Sequence, residues 1–200
     1  MIYLFGGHHI EKGVGTGAKT ALYDEAVLAS EMCEQVAIRL RSQAIAVWRD
    51  NPNQEQRSEI ESIAELVKPE DIVVDFHFNA STNSKATGVE VFVPSNPSIA
   101  NILLASELAI ATSKVLGLRL RTSQTAKLPL GVKLHTETQH GEKGLFIMRR
   151  LKAVVCLVEI AFITNAVDMK TYMEKRFELA DKYTSILMHY ERQNQKIFKK

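Results

Sequence analysis

The sequence predicts a single α/β domain in three layers, with a mostly parallel central sheet of about six strands flanked by helices. Two observations lead to this prediction. Short apolar runs alternate along the chain with longer segments of helical periodicity, which is typical of parallel strands joined by helices. The length of 200 residues, of which 46% are hydrophobic, suits one domain with a substantial core.

The elements are predicted from hydrophobic periodicity and from residues that break it. Apolar runs predict strands at 2–5, 44–48, 72–78, 89–93 and 153–160. The run at 72–78 is apolar on both faces, which indicates a central strand. Helices are predicted at 23–42, 54–67, 98–116 and 171–192, with Pro69 and Gly117 as stop signals after the second and third.

The remaining segments are predicted to be irregular. Residues 122–144 carry turn residues, charges and two histidines, and are expected to form a long surface loop. His135 and His140 in that loop, and His189 on the last helix, are expected at the surface. We place one domain at 1–192 and a basic tail at 193–200 that is expected to fray.

Composition excludes several classes of function. The formal net charge of +2 is too small to indicate nucleic-acid binding. No apolar run approaches the ~18 residues of a membrane span, and no signal-peptide pattern is visible. A protein of this kind that acts outside the cytoplasm would be released by lysis, or would be a fragment without its signal. Cys33 and Cys156 lie in apolar surroundings and are expected to be buried thiols.

Three predicted strands end in residues that can bind a metal or move a proton. The first is followed by His8 and His9, the third ends at His77, and the last carries Glu159. Ligands of open α/β sheets sit outside the carboxyl ends of the strands, so these side chains are expected to converge. A catalytic zinc usually keeps three protein ligands and one open position, and we therefore predict a site for one Zn²⁺ ion.

The ligand set leaves alternatives open. The histidines are His8 or His9 together with His77, and the carboxylate is Asp24 or Glu25 at the start of the first helix. A carboxylate there also complements the helix dipole, which is the structural alternative for each of the two.

Two polar residues share a strand face with His77. Strand alternation places Asp75, His77 and Asn79 on one side, where Asp75 and Asn79 could orient the imidazole. The alternative is that both only satisfy backbone groups of the loop.

Glu159 follows five apolar residues, and burial there should raise its pKa. Such a carboxyl suits a general base that takes a proton from an attacking water and returns it to a leaving group. The alternative is a buried ion pair with Arg149 or Arg150.

Five motifs follow one another in the order known from one enzyme family. They are Gly7-His8, Glu25, a strand at 75–80 where the family reads roughly Ser-Ile-His-Ala-Asn-Ala, Gly88-Val89-Glu90, and residues 157–165 where it reads Leu-Val-Glu-x-Gly-Phe-Ile-Ser-Asn. From residue 2 to about residue 190, the chain resembles the zinc-dependent N-acetylmuramoyl-L-alanine amidases of the amidase-3 type. These include bacterial cell-wall amidases and phage endolysin catalytic domains.

The resemblance implies residue roles. His8, Glu25 and His77 would bind zinc, and Glu159 would be the catalytic acid/base. Asp75, Asn79 and Asn165 would lie beside the metal or the substrate. Two departures are His9, where the family often has glycine, and Ala161, which replaces a glycine after the catalytic Glu. We choose His8 over His9 as the ligand because it follows Gly7.

The resemblance also implies a reaction and a place of action. It predicts hydrolysis of the amide between N-acetylmuramic acid and L-alanine of peptidoglycan, at the cell wall. The sequence leaves the oligomeric state open, with a monomer favoured. The stretch at 122–144 is expected to shape the cleft for the stem peptide. The alternatives are a zinc exopeptidase acting on peptides and a wall-binding module without turnover.

Overall fold

A computed structural model describes residues 1–11, 14–15, 17–125 and 127–198, so part of the glycine-rich loop at 13–17 lies outside the described residues. Along this part of the chain, eight strands and five α-helices are formed. In chain order they are β1 (Ile2–Gly6), β2 (Ile10–Glu11), β3 (Val14–Gly15), α1 (Glu25–Ser42), β4 (Val47–Arg49), α2 (Gln56–Ile63), β5 (Ile72–Asn79), β6 (Glu90–Val93), α3 (Ile99–Leu116), β7 (Val132–Leu134), α4 (Phe146–Arg150), β8 (Val154–Phe162) and α5 (Ala166–Phe198).

The central sheet has six strands in the order β4-β1-β5-β8-β6-β7. The first four run parallel to one another, β6 is antiparallel to β8, and β7 runs parallel to β6. β2 and β3 form a separate antiparallel pair. The prediction of a mostly parallel sheet of about six strands is therefore confirmed.

Helices cover both faces of this sheet. Because successive side chains of a strand point to opposite faces, Leu4 and Val74 pack toward α1, α3 and α5, whereas Phe5 and Val73 pack toward α2 and α4. All these side chains are buried. Burial on both faces explains why the central strands read as continuous apolar runs.

Local signals explain where the helices begin and end. The side chain of Asp24 caps α1 by accepting from the backbone N–H of Ala26 at 3.1 Å. Ser98 and Asn101 form a capping box at the start of α3, and Gly117 ends that helix in the left-handed conformation, with φ 68°. α3 is long and apolar enough to cross a membrane by length and composition alone, but its inner face packs on β6 and β8 as that of a core helix does.

Besides β2, β3 and α4, which were not predicted, two segments differ from the prediction. The stretch at 122–144 is not a loop throughout, because β7 adds a strand to the edge of the sheet within it. The last helix spans Ala166–Phe198 instead of 171–192, so it continues into the tail that was expected to fray. Cys33 and Cys156 are free and buried, as predicted.

Candidate metal centre

The predicted convergence of strand ends is observed. β5 lies between β1 and β8 in parallel pairing, and His77 is the register partner of Glu159. One ligand atom from each of His8, Glu25 and His77 lies within 4.8 Å of the other two. Glu25 and His77 are buried, whereas the side chain of His8 is 38% exposed.

The geometry at the start of α1 supports Glu25 over Asp24 as the candidate carboxylate. Asp24 caps the helix and pairs with Lys19 at 2.9 Å, so it is engaged at the surface. Glu25 points into the site, with Oε1 3.2 Å from Nδ1 of His77 and 3.5 Å from Nε2 of His8. Although burial alone would raise the pKa of Glu25, His77 and His8 hold this pKa below its usual value.

Backbone hydrogen bonds also fix Glu25. Its Oε1 accepts from the N–H of Phe78 at 3.0 Å, and its Oε2 accepts from the N–H of Ala18 at 2.8 Å. The carboxylate therefore joins the end of β5 to the segment before α1.

Two glycines allow the rings to approach the backbone. A Cβ added to Gly7 would lie 2.1 Å from Nε2 of His77, and one added to Gly17 would lie 2.5 Å from Cγ of His8. Gly17 also has φ 89°, where a side chain would be strained. Substitution of either glycine would displace a candidate ligand.

His8 and His9 point to different places. Nε2 of His9 lies 2.6 Å from Oδ2 of Asp50, and Nδ1 lies 2.6 Å from the backbone oxygen of Gln54. A carboxylate and a carbonyl only accept, so both ring nitrogens of His9 carry protons and the ring is a cation. Both nitrogens are thereby engaged away from Glu25 and His77, which supports His8 as the candidate ligand.

Asp75 lies on the far side of the His77 ring from Glu25. Its Oδ2 is 3.2 Å from Nε2 of His77, and both of its oxygens lie 3.3 Å from Nε2 of Gln56. Burial alone would lower the pKa of His77, but Asp75 and Glu25 raise this pKa well above its ordinary value. With Nδ1 of His77 facing the candidate ligand Glu25, the contact of Nε2 with Asp75 matches the carboxylate that supports many metal-binding histidines.

The two predicted asparagines have other partners. Nδ2 of Asn79 donates to Oε1 of Glu90 at 3.2 Å. Oδ1 of Asn165 accepts from the N–H groups of Val167 at 2.9 Å and Asp168 at 3.1 Å, at the start of α5. These contacts support a role for Asn165 in fixing the helix start.

Glu159 lines the same cleft as the candidate ligands. Its Oε2 is buried and has no hydrogen-bond partner within the described part of the chain. Burial raises the pKa of Glu159 to about 8, against the opposing charge of His77. The alternative ion pair is not formed among the described residues. Arg150 pairs with Glu61 at 2.7 Å and Glu65 at 3.1 Å instead, and the guanidinium of Arg149 lies over the Phe146 ring, 5.8 Å from its centre.

The sequence did not predict a charged cluster of Glu90 on β6, Lys133 on β7 and Arg121 from the segment between α3 and β7. Glu90 pairs with Arg121 and, at 2.8 Å, with Lys133, and all three line the cleft. Glu90 was visible only as part of a motif, and Lys133 lies on the strand that was not predicted. The cluster places two cations and one carboxylate beside the site.

The cleft has a volume of about 770 Å³, within the range usual for small-molecule sites. Residues 137–140 line it, as expected for the segment at 122–144. His140 is exposed there, whereas His135 is buried, contrary to the expectation of a surface position. His135 is held by Ser95 at 2.7 Å and by the N–H of Leu145 at 2.9 Å, contacts that are distant in sequence.

Comparisons with known proteins agree with this architecture. The chain is similar to the N-acetylmuramoyl-L-alanine amidase of Clostridium difficile 630, with a TM-score of 0.74 and 17% identity over 96% of each chain. It is also similar to the catalytic domain of CwlV from Bacillus (Paenibacillus) polymyxa var. colistinus, with a TM-score of 0.71 and 16% identity over 96% of this chain and 97% of the other. For the catalytic domain of the CD27L endolysin targeting Clostridia difficile, the TM-score is 0.64 and the identity 19%, over 94% and 96% of the two chains.

These structural similarities confirm the fold, and no curated protein matches the chain. The profile of the Amidase_3 family, described as N-acetylmuramoyl-L-alanine amidase, matches residues 2–187, which is nearly the whole chain. The chain belongs to this family, and it is an N-acetylmuramoyl-L-alanine amidase.

Proposed function

We propose that the protein uses one zinc ion to hydrolyse the amide between the lactyl group of N-acetylmuramic acid and L-alanine in peptidoglycan. The observation that carries this proposal is the gathering of His8, Glu25 and His77 within 4.8 Å, in one cleft with the unpartnered Glu159. Residues 1–192 would be the catalytic domain, with 193–200 as a basic tail.

The donor set fits zinc. Two histidines and one carboxylate are a standard set for catalytic zinc, which leaves a further position open. Bound there, zinc would polarise the scissile carbonyl and lower the pKa of water. The carboxylates of Glu25 and Asp75 already favour a positive charge at His77, so the surroundings suit a cation.

Glu159 supplies proton transfer. A carboxyl group with a pKa near neutrality can both accept and donate a proton at working pH, and the pKa of Glu159 is raised to about 8. Glu159 takes a proton from the attacking water and delivers it to the departing nitrogen of L-alanine. Its buried Oε2 is free for that exchange because it has no hydrogen-bond partner among the described residues.

The substrate places the activity at the cell wall, outside the cytoplasm. Arg121 and Lys133, which also line this cleft, pair with Glu90.

The test compares wild type with Glu159→Gln, which keeps the shape of the side chain but cannot take a proton. Glu142→Gln is the matched control, because Glu142 is exposed on the short helix at 141–143. Digested sacculi are analysed by mass spectrometry, and bound zinc is measured by metal analysis. We expect new L-alanine amino termini with intact glycan from wild type and from the control.

The Glu159→Gln variant should bind one zinc ion but lose about 10²- to 10⁴-fold in rate. Unchanged turnover in this variant would refute the role of Glu159. Cleavage within free peptides instead of the sugar–alanine amide would favour the exopeptidase alternative. Zinc binding without any muropeptide release by wild type would favour a wall-binding module.

A further inference from the structure

One wall of the cleft carries two arginines on a shared aromatic ring. Arg57 comes from α2, and Arg149 and Phe146 come from α4. The guanidinium carbon of Arg57 lies 4.5 Å from the centre of the Phe146 ring, and that of Arg149 lies 5.8 Å from it. All three residues line the same cleft as His77 and Glu159.

Neither guanidinium has an acidic partner. Among the described residues, no carboxylate pairs with Arg57 or Arg149, whereas the adjacent Arg150 pairs with both Glu61 and Glu65 of the α2 region. Glu61 and Glu65, which lie where α2 meets α4, therefore both pair with Arg150 and not with Arg57 or Arg149. The two positive charges of Arg57 and Arg149 remain on the cleft side, one on each of two contacts with the same ring.

The arrangement suits a planar anion. A guanidinium held near an aromatic ring by a cation–π contact can still donate hydrogen bonds from its N–H groups. Arginine edges match the two oxygens of a carboxylate, and hydrogen bonds between charged groups are the stronger kind. An anion placed here also offsets the repulsion between the two arginines.

The other arginine and the lysine of the cleft lining already have a carboxylate partner, because Arg121 and Lys133 both pair with Glu90. Arg57 and Arg149 line the same cleft and have no such partner among the described residues. Their charges therefore remain available to a negatively charged part of the substrate.

We propose that Arg57 and Arg149 form a subsite for a free carboxylate of the stem peptide, and that the enzyme therefore prefers stems whose second residue keeps its α-carboxylate over stems in which it is amidated. This inference rests on the proposed function, because the anion belongs to the same molecule as the scissile amide. The residue after L-alanine is joined through its side-chain carboxyl, so its α-carboxyl is free or amidated in different walls.

The test uses two soluble muropeptides that differ only in this group. Each is N-acetylmuramoyl-L-alanyl-D-glutamyl-L-lysine with the γ-linkage, carrying either the α-carboxylate or the α-carboxamide, and neither contains a wall phosphate. We expect wild type to favour the carboxylate form by about 10-fold in kcat/KM, the effect of one charge-assisted hydrogen bond. Arg57→Gln and Arg149→Gln should each reduce this ratio, and the double variant should bring it to within about 2-fold of one.

Arg150→Gln is the matched control, since it removes the same charge from the same helix but on the side occupied by Glu61 and Glu65. It should keep the preference. Equal rates on both muropeptides with wild type, or a preference that survives in the double variant, would overturn the subsite. If Arg150→Gln loses the preference as fully as the double variant does, the preference depends on the overall positive charge and the subsite is overturned.

Failure of the proposed function looks different. If wild type cleaves neither muropeptide, equilibrium binding of the same pair is measured by calorimetry on the zinc-loaded wild type and on the double variant. A carboxylate preference that the double variant loses would still support the subsite, and equal binding of the two forms would overturn it. The two conclusions are therefore separated by one pair of compounds.

Discussion

His8 and His9 are neighbours in sequence with opposite environments. The side chain of His8 is 38% exposed in the cleft, and its backbone has φ 60°, in the left-handed region. The side chain of His9 is fully buried and faces Asp50 and the backbone of Gln54. One tight turn therefore sends two identical side chains to the two sides of the loop after β1.

The partners decide the charge of each ring. Burial, aided by the nearby His77, lowers the pKa of His8. Burial alone would lower the pKa of His9 as well, but the hydrogen bond and charge of Asp50, together with the carbonyl of Gln54 and the charge of Asp75, raise this pKa above its ordinary value. Nε2 of His8, like Nδ1 of His77, faces Glu25, whereas both ring nitrogens of His9 face acceptors outside this cluster. His9 is therefore suited to an ion pair and not to the metal.

The pair of His9 and Asp50 supports the position of His8. Oδ2 of Asp50 accepts from His9 and also from the N–H of Gly6 at 2.8 Å, so it ties the end of β1 to the segment after β4. A left-handed non-glycine residue persists only when its surroundings hold it. We infer that this buried pair holds the turn that presents His8 to the cleft.

The largest effect that tests this comparison is on zinc affinity. His8→Ala should lower it by more than the roughly 100-fold that loss of a supporting residue causes, because a ligand itself is removed. The free energy of unfolding without zinc should change little, since His8 is partly exposed. Competition with a chromophoric chelator measures the affinity.

His140→Ala serves as the control for that measurement, because His140 also lines the cleft but is exposed and distant in sequence from the cluster. Its zinc affinity should match that of wild type. If His8→Ala binds zinc as tightly as this control, the assignment of His8 as a ligand is wrong.

The next effect is on stability. Asp50→Ala should leave the cationic His9 buried without its partner, which costs about 3–5 kcal/mol of unfolding free energy. Asp181→Ala is the matched control, because Asp181 pairs with Arg39 at 2.6 Å but is 67% exposed, and such surface pairs contribute about 0–1 kcal/mol. Urea denaturation of the zinc-free proteins at neutral pH compares the two. Equal losses would contradict a buried cation at His9.

Strong local patterns made most of the fold predictable. The continuous apolar run of β5 identified a central strand, and its end marked His77 without knowledge of any contact. β7 could not be found in this way, because three residues within a polar stretch carry no period. Because Lys133 lies on β7, its pairing with Glu90 could not be predicted either.

Contacts between residues far apart in sequence determine the environments of the histidines, which the sequence could not predict. The partner that distinguishes His9 from His8 is Asp50, 41 residues away. The partners that bury His135 lie 40 residues before it and 10 after it, at Ser95 and Leu145. No local pattern encodes such contacts, so the sequence could name the candidate histidines but could not assign their environments.

The smallest expected effect is on the pH dependence of stability and concerns His135, which is buried like His9 but neutral. Its Nδ1 accepts from the N–H of Leu145, so that nitrogen carries no proton, and Nε2 donates to Oγ of Ser95. Burial, with the charge of Arg149, lowers the pKa of His135. The contribution of the neutral His135 ring to the free energy of unfolding is therefore complete above pH 6.5, the ordinary pKa of histidine. This contribution is lost as the pH falls below that value.

His135→Gln keeps one acceptor and one donor but does not titrate. Between pH 7 and 5, its unfolding free energy should fall less steeply than that of wild type, by at most about 1.4 kcal/mol per pH unit, the limit for one proton. Urea denaturation across this range measures both slopes. Identical slopes would mean that His135 takes up its proton equally well in the folded chain, which the N–H of Leu145 pointing at Nδ1 should prevent. A smaller slope for His135→Gln would show that hydrogen-bond partners set the charge of a buried histidine. His135 faces the N–H donor of Leu145 and stays neutral, whereas His9 faces two acceptors and is a cation.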